Sequence, residues 1–450
     1  TLPNAITLAS DTAVFVETDP TLEMLGAIGG AGSLTKTGTG TLALTGSATN
    51  TLDGDVYVGA GRLEMNRASG NSIPRRLIVG GSGAEAEAVH LANSEVDFVT
   101  VRRQGRWNLN GFNDSISDLV LVDGGRVSAP PPGRLNLVDG ANLTVQFGLG
   151  VTGTAALEGV LLLGGVHTFS VADQFAPLSD PVDFVLSARV QGDGSILKTG
   201  SGEMSLTESN SFTGNLSIQG GQVRVGHNDA LGTGVGGTLV LNNGGLVLEP
   251  GIGIAHEALT LDSAARPEFP ALWAAGDTNY WTGPVGLKSA ARVGVATNSL
   301  LYLSGQIAGA GDLIFEGPGK VILSGAAPNT YTGTTWFKGG DAECRKTAAH
   351  GAIPGPLVVG DSDTNAQVYV ELTLTNLPQI NALAPVVLHK LGMLRPKGDG
   401  EETLGSLAGE GLILFGIETN ATALLIGGNN ASTTFNGHLS SFNRGLRLAK

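Results

Sequence analysis

The feature that most constrains this chain is a repeated pattern of glycines and alternating apolar residues. Each copy begins with Gly-x-Gly, continues as a short run with an apolar residue at every second position, and reaches an Asn-containing turn. The two best copies align without a gap over Leu22–Gly46 and Leu301–Gly325, at a constant offset of 279 positions (301 − 22). Another copy starts at Gly192 and a weaker one at Gly409. In chain order the first to fourth repeats therefore start near positions 30, 192, 309 and 409.

The turn inside the repeat is more widespread than the repeat itself. A large residue followed by Asp, Thr or Asn and then Gly recurs along the chain, often with an asparagine two positions before the large residue. These asparagines are Asn50, Asn210, Asn279 and Asn329. Glycine reaches positive φ without steric cost, and an Asn side chain can hydrogen-bond nearby backbone, so the pattern predicts tight turns braced by asparagine.

Repetition of strand, turn and strand predicts a solenoid, because one short unit cannot bury its apolar face alone and must stack on a neighbour. Amphipathic helical stretches are nearly absent, and 69 of the 450 residues are glycine, so the predicted class is all-β. We therefore predict one continuous parallel β-solenoid over residues 1–450. At about 20 to 25 residues per coil it has about 20 coils, and strands about 4.8 Å apart give a length on the order of 100 Å.

Alternating apolar residues are expected to form ladders that point into the solenoid. Leu42, Leu44, Val56 and Val58 are examples. The single cysteine, Cys344, occupies an apolar position of the repeat and is expected in the core, where a thiol behaves as a small hydrophobe. One cysteine forms no intrachain disulfide, so stability rests on stacking and on the strand ladder.

Charge and hydropathy argue against several partners. The formal net charge is −14, with 26 basic and 40 acidic residues, which disfavours nucleic acid and anionic lipid. No run of 18 apolar residues occurs, so membrane insertion by this segment is not expected. The densest basic positions are expected to be solvated. They are Arg75, Arg76, Arg102, Arg103 and Arg106.

No catalytic, metal or cofactor site is predicted. A polysaccharide-active enzyme on such a scaffold needs carboxylates that converge in one groove. Asp361 and Asp363, with Glu371 beyond them, form the closest local set, but Asp-Ser-Asp at a strand end is typical of a turn. The seven histidines are scattered singly. The chain is therefore predicted not to be an enzyme, and polysaccharide-directed catalysis is kept as an alternative.

Aromatic residues supply the candidate contacts with a ligand or a partner. We predict a lateral loop near residues 264–286, in which Trp273, Asp277 and Tyr280 are candidate contacts, since aromatic faces stack on sugar rings. Trp336 lies between two residues that should face inward, so it is expected to face outward and to pack against another copy or a partner.

Both ends of the sequence have the alternation of a strand. An open strand edge presents unpaired N–H and C=O groups, and a heterologous end contact that does not close generates a filament. We therefore predict end-to-end self-association through terminal strands. The residues concerned are Ile6, Leu8, Leu446 and Leu448.

The repeat itself resembles a known family. The pattern Gly-x-Gly-x-Leu-x-Lys-x-Gly-x-Gly-x-Leu-x-Leu, followed by Tyr-Thr-Gly or Phe-Thr-Gly, is similar to the autotransporter-associated β-strand repeat. The segments Gly30–Met65, Gly192–Val225 and Gly309–Cys344 match best. The resemblance implies a right-handed parallel β-helix passenger, exported to the surface of Gram-negative bacteria.

Two functions fit such a passenger without chemistry. The first is a stiff structural fibre of the bacterial cell surface, which end-to-end stacking would lengthen. The second is an adhesin that binds a surface glycan, or a ligand on a host or neighbouring cell, through lateral loops. The two differ in whether the ends or the sides of the solenoid carry the function.

Overall fold

The computed structural model describes residues 1–18, 21–68, 71–174, 182–262, 269–363, 366–415, 422–441 and 447–449. All regular structure in these ranges is β-strand, and the strands stack in parallel as a β-solenoid of about 19 turns, which confirms the predicted fold class. None of the described ranges contains a helix with the length and apolar character that a membrane crossing requires.

The chain divides into two compact units, which are described separately. The first consists of Thr1–Val223 and Asp229–Gly236, and the second of Arg224–Asn228 and Gly237–Lys450.

The strands up to the boundary near residue 223 are β1 (Ile6–Thr7), β2 (Thr12–Phe15), β3 (Leu22–Met24), β4 (Ile28–Gly30), β5 (Leu34–Thr37), β6 (Thr41–Leu44), β7 (Thr51–Leu52), β8 (Val56–Val58), β9 (Gly61–Met65), β10 (Ile73–Val79), β11 (Ala86–His90), β12 (Val96–Val101), β13 (Gly105–Asn108), β14 (Asp114–Val122), β15 (Arg126–Ala129), β16 (Leu135–Gln146), β17 (Ala155–Leu163), β18 (Val166–Val171), β19 (Phe184–Gly192), β20 (Ser195–Thr199), β21 (Glu203–Leu206) and β22 (Leu216–Val225).

The strands of the second unit are β23 (Thr238–Leu248), β24 (Gly253–Ile254), β25 (Leu259–Asp262), β26 (Leu272–Ala274), β27 (Thr278–Trp281), β28 (Val285–Leu287), β29 (Ala291–Val295), β30 (Leu300–Leu303), β31 (Ile307–Gly309), β32 (Leu313–Glu316), β33 (Lys320–Leu323), β34 (Thr335–Phe337), β35 (Gly340–Cys344), β36 (Leu357–Val359), β37 (Val368–Thr375), β38 (Pro385–Leu388), β39 (Gly392–Leu404), β40 (Ser406–Gly409), β41 (Leu412–Phe415), β42 (Thr422–Ile426), β43 (His438–Ser441) and β44 (Arg447–Ala449).

In the first unit most strands pair with strands of the previous and the following coil, as β8 does with β5 and β10. One stack runs through β5, β8 and β10, and it aligns Leu34 with Val56 and Val56 with Leu77. These partners lie 22 (56 − 34) and 21 (77 − 56) positions apart, within the predicted coil length. A second stack contains β6, β9, β11, β13 and β15.

In the second unit three stacks of parallel strands run through the described coils. The first contains β25, β28 and β31, and the second contains β26, β29, β32, β34, β36, β38 and β40. The third contains β27, β30, β33, β35, β37, β39 and β41. From β25 to β33 three strands make one turn, and beyond β33 the second and third stacks continue.

The interior is built from the predicted ladders. Leu42, Leu44, Val56 and Val58 are fully buried, and so is Cys344. Stacking places each inward side chain on its counterpart in the next coil, as with Leu42 on Leu63. Apolar burial along these ladders is the main favourable term that the short strands gain by stacking.

Glycine at the start of each repeat is required by the close approach of coils. A β-carbon on Gly309 or Gly311 would collide with the carbonyl groups of the preceding coil, at Leu287 and Ser289 respectively. Gly309 also has a φ of 121°, which disfavours any other residue. The Gly-x-Gly signature therefore marks the corner at which one coil passes closest to the previous one.

Most asparagines of the turn motif bond to neighbouring coils, whereas the sequence predicted that they brace their own turns. The side chain of Asn329 accepts a hydrogen bond from Ile307 N at 2.9 Å and donates one to Ala352 O at 2.9 Å. Those partners lie one coil before and one coil after it. Asn50 and Asn210 make the same pair of bonds, whereas Asn279 donates locally to Gly276 O. Three of the four asparagines thus join three successive coils.

Strands occupy much of the segment near 264–286 in which a lateral loop is predicted. Residues 272–287 contain β26, β27 and β28, which pair within the stacks. Residues 264–268 lie outside the described residues. Of the candidate contacts in this segment, Trp273 and Tyr280 lie on strands and Asp277 lies at the corner between them.

Candidate ligand-binding surfaces

A column of charged side chains crosses the strand starts of the first unit. Arg62 on β9 aligns with Glu87 on β11, Glu87 with Arg106 on β13, and Arg106 with Arg126 on β15. Successive strands lie about 4.8 Å apart, so the column spans about 14 Å. We call the cleft that these four residues line the arginine cleft.

The alternation of the strands puts this column on the outside. The next residue along each strand is Leu63, Ala88, Trp107 or Val127, and all four are buried. Successive side chains in a strand point to opposite faces, so the charged residues before them face outward. The cleft has a volume of about 560 Å³, and its walls include Thr39, Glu85 and Gln104.

Two of the three arginines form surface ion pairs. Arg62 Nη1 lies 2.8 Å from Glu87 Oε2, and its Nε lies 2.9 Å from Glu64 Oε1. Arg106 Nη2 lies 3.2 Å from Glu158 Oε1, and both side chains of that pair are at least half exposed. Exposed pairs of this kind contribute little to stability and are readily exchanged for other partners.

Arg126 differs from the other two arginines. It is exposed, and its guanidinium has no hydrogen bond or ion pair with any of the described residues. The cleft therefore combines paired charges at one end with an open guanidinium at the other. Such an arrangement can receive a polar ligand that has an anionic group.

Sequence reasoning missed this site. It treated Arg106 as a solvated charge and did not single out Arg62 or Arg126. The three arginines lie 44 (106 − 62) and 20 (126 − 106) positions apart, and only the register of the coils brings them together. The available signal was an outward charge directly before an inward apolar residue in four strands.

A smaller cleft occupies the matching position of the third repeat. Asp341 on β35 corresponds to Arg62 at the offset of 279 (341 − 62), and it aligns with Tyr369, Met393 and Leu412 on successive coils. This cleft has a volume of about 240 Å³. Its column is partly apolar, and its lining includes exposed Lys390, whose ammonium lacks the planar fork of the Arg126 guanidinium.

The structure does not bring the predicted aromatic contacts into one site. Trp273 is half-buried on β26 and lies against Gly294, whereas Tyr280 belongs to β27 in another stack. Tyr280 instead stacks on Tyr302, with ring centroids 4.8 Å apart and planes 20° apart. Asp277 is exposed at the corner between the two stacks, with a φ of 46°.

Trp336 faces outward between buried Thr335 and Phe337. Its indole is half-buried and aligns with Ile314 and Val358 on the neighbouring coils. The Lys338 ammonium lies 5.5 Å from the ring centroid. The side chain is thus packed within its own face, and its contact with a partner stays a prediction.

Three of the four residues predicted to join copies end to end lie within the described ranges. Ile6 is half-buried on β1, which pairs with β4, and Leu8 is buried. Leu448 belongs to β44 and aligns with Leu424. Leu446 lies outside the described residues. End-to-end association through these residues stays a prediction.

The carboxylates considered for catalysis are engaged in structural contacts. Asp361 Oδ1 accepts a hydrogen bond from Asp363 N at 3.1 Å, which lowers the pKa of Asp361 and forms the expected turn. Glu371 is paired with Arg395 and Lys397. Among the described residues, no group of three His, Cys, Asp or Glu side chains is placed to hold a metal ion.

A polar cluster inside the first unit is closed to ligands. Trp107 Nε1 donates to His90 Nε2 at 2.9 Å, and Asp114 Oδ2 lies 3.4 Å from the same nitrogen. Burial lowers the pKa of His90 to about 4 and raises the pKa of Asp114 to about 8. All three side chains are buried, so the cluster serves the packing of the coils.

Comparison with known proteins identifies the repeats. Residues 34–65, 196–225 and 308–341 match the family described as passenger-associated-transport-repeat. They fall within or overlap the three copies that the sequence analysis singled out. The chain is also 28% identical over 332 residues to the adhesin BmaC autotransporter of Brucella suis biovar 1 (strain 1330). The match covers 72% of this chain and 8% of that much longer protein. The chain is thus a repeat-bearing autotransporter passenger of the bacterial cell surface, folded as a parallel β-solenoid.

Proposed function

We propose that this chain is a ligand-binding segment of an adhesin. In this proposal the stacked coils are the scaffold, and the arginine cleft on the side of the first unit contacts a molecule on another surface. The observation that carries the proposal is the cleft itself, a polar concavity of about 560 Å³ with one unpaired guanidinium. The similarity to a protein named as an adhesin supports it.

The distribution of polar groups favours the side of the solenoid. Interior polar side chains such as Asn50 and Asn329 hold neighbouring coils together and are buried. The arginines of the cleft are outward, and their contacts with neighbouring coils are ion pairs that are partly exposed for Arg62 and exposed for Arg106. A ligand can therefore engage them without disturbing the fold.

Adherence of coated beads tests this function. The full chain is attached to microspheres, and binding to glycan-bearing cells is compared with that of a triple variant, Arg62→Gln, Arg106→Gln and Arg126→Gln. We expect adherence to fall at least about tenfold, because loss of about 1.4 kcal/mol of binding free energy has that effect. A matched triple variant at exposed arginines elsewhere, Arg75→Gln, Arg134→Gln and Arg189→Gln, should adhere like the wild type. Equal adherence of both variants contradicts the proposal.

Assembly into a fibre is a separate proposal. Parallel stacking supplies the kind of ladder that another copy would extend, and this supports joining of copies end to end. Sedimentation velocity of the full chain at rising concentration tests the idea. Species that grow with concentration support it, and one boundary that does not depend on concentration contradicts it.

We also propose that the chain is not an enzyme. The engagement of Asp361, Asp363 and Glu371 in a turn and in ion pairs supports this view. An activity screen on acidic polysaccharides should detect no turnover by the wild type. Turnover that disappears in the Asp361→Asn, Asp363→Asn double variant would show the opposite.

A further inference from the structure

We infer that the ligand of the arginine cleft is a linear acidic glycan that lies along the axis of the coils, with one carboxylate on Arg126. This inference rests on the function proposed above and names the class of ligand. It follows from the free guanidinium and from the spacing of the column. It also follows from the polar lining of the cleft and from the pairing of its strands on both sides, which disfavour other classes of ligand.

The free guanidinium specifies the charge of one ligand group. Arg126 is exposed at the end of the column and has no partner among the described side chains. A guanidinium presents a planar fork of N–H donors that matches a carboxylate in a bidentate pair. Glu85 and Glu87 line the other part of the cleft, so a single carboxylate fits better than a dense row of negative charges.

The spacing of the column specifies the rest of the ligand. The rungs lie about 4.8 Å apart, which is close to the length of one pyranose residue in an extended chain. Consecutive sugars therefore meet Arg62, Glu87, Arg106 and Arg126 in order. Arginine donates hydrogen bonds and glutamate accepts them, and sugar hydroxyl groups can do both.

Two other classes of ligand fit less well. A peptide would need a free strand edge or apolar pockets, but β9, β11, β13 and β15 are each paired on both sides and the lining is polar. A nucleic acid would bring many phosphates to a protein with a net charge of −14.

The third repeat provides an internal contrast. Its matching column carries Asp341 in place of Arg62 and continues with Tyr369 and Met393. A carboxylate-bearing sugar would meet the like charge of Asp341 there, and the point charge of exposed Lys390 in place of a guanidinium fork. The inference therefore assigns the acidic glycan to the first unit alone.

Titration calorimetry with defined oligosaccharides tests the inference. The full chain is titrated with uronate oligomers, which here are oligosaccharides of neutral hexoses that end in a single galacturonate, glucuronate or mannuronate, and with the same oligomers after reduction of the carboxyl group. We expect at least one acidic oligomer to bind, and its reduced form to bind at least about tenfold more weakly. Equal binding of the acidic and reduced forms, stronger binding of poly-glutamate, or no binding of any uronate oligomer overturns the inference.

Variants assign the binding to the cleft. Arg126→Met should weaken binding of the acidic oligomer at least about tenfold. The affinity for the reduced oligomer should not change. Arg126→Lys should retain part of the affinity, because the charge remains and the fork is lost. Arg134→Met is the matched control at an exposed arginine outside the cleft and should bind like the wild type. Normal affinity of Arg126→Met overturns the inference.

The outcomes separate this inference from the proposed function. If the bead assay depends on the cleft arginines but no uronate oligomer binds, adhesion stands and the acidic glycan is wrong. If uronates bind through Arg126 but adherence is the same without the cleft arginines, the site is real and the adhesive function is wrong.

Discussion

The first and third repeats share their interior and differ at their clefts. Asn50 and Asn329, 279 positions apart (329 − 50), make the same two hydrogen bonds to the coils on either side. Arg62 and Asp341, separated by the same offset, face outward with opposite charge. The positions that hold coils together thus keep their role, whereas the outward positions differ in charge and are the place to seek function.

One interior position shows how far the shared scaffold can vary. Lys36 is fully buried, and its Nζ donates to Thr37 O, Gly38 O and Ala60 O at 2.7 to 3.0 Å. Phe315 occupies the aligned position (36 + 279) and stacks on Phe337, with ring centroids 5.0 Å apart. An ammonium that satisfies carbonyl groups and an aromatic pair therefore fill the same corner.

Removal of the aromatic pair should have the largest effect. Phe315→Ala opens a cavity in a buried stack and is expected to lower the free energy of unfolding by about 3 to 5 kcal/mol. Urea denaturation followed by circular dichroism measures it. Ile314→Ala, at the adjacent half-buried and outward position, should cost less than half as much. Equal costs would mean that the corner is not filled as described.

Loss of the asparagine bonds should be the next largest effect, and the cost should be larger for Asn50, whose Oδ1 also accepts a hydrogen bond from Arg67 Nη2 at 3.0 Å. Asn50→Leu and Asn329→Leu each leave a buried N–H and a buried C=O without their partner, at a cost of about 2 to 4 kcal/mol. Asn66→Leu, at an exposed asparagine, is the control and should change stability by less than about 0.5 kcal/mol. A larger cost for Asn329→Leu than for Asn50→Leu, or a cost of either variant no greater than that of Asn66→Leu, would contradict the shared role of the two asparagines.

A third comparison concerns two buried cations at the same offset (346 − 67). Arg67 Nη2 donates to Gly26 O and Lys346 Nζ donates to Gly305 O, both at 2.8 Å. Burial lowers the pKa of Lys346 to about 8, from an ordinary value of 10.5. Between these pH values the unfolded chain binds the proton and the folded chain does not, so stability rises with pH in that window.

The lysine contribution is measured as a difference, because Cys344 and Tyr331 change stability in the opposite direction at alkaline pH. The stability of the wild type relative to Lys346→Met should rise by about 2 to 3 kcal/mol between pH 8 and pH 10.5. Urea denaturation at four pH values measures it. A difference that does not change with pH would contradict the lowered pKa.

The smallest effects on stability are expected at the clefts. Arg62→Gln and Asp341→Asn should each change the free energy of unfolding by less than about 0.5 kcal/mol, because Asp341 is exposed and the ion pairs of Arg62 are partly open to solvent. The same urea experiment measures both. A cost above about 1 kcal/mol for Arg62→Gln would mean that its ion pairs support the fold, and the division between scaffold and surface would then fail for the first repeat.

The sequence was sufficient for the fold because the interior obeys a period of two. Val58 and Cys344 are buried as predicted, since alternation and glycine spacing alone place them inward. The inward position of Lys36 follows from the same alternation, two residues after Leu34, although its charge argued for solvent. The sequence could predict that the Asn50 side chain bonds to backbone groups. It could not identify those groups, because they lie one coil away.

The candidate site could not be predicted, because it depends on register between coils of unequal length. Arg62, Glu87, Arg106 and Arg126 are separated by 25, 19 and 20 positions (87 − 62, 106 − 87, 126 − 106), so no fixed period reveals them. Conversely, residues that are close in sequence do not always share a surface. Trp273 and Tyr280 are seven positions apart (280 − 273) and lie on different stacks.

Hydrogen exchange with and without an acidic oligosaccharide is the most direct test of a function that belongs to the first repeat's cleft. Added uronate oligomer should slow exchange in the corner segments 81–87, 102–106 and 123–126, and leave 339–343, 367–369 and 390–393 unchanged. Slower exchange in both groups of segments, or only in the second, would contradict the assignment of ligand binding to the arginine cleft.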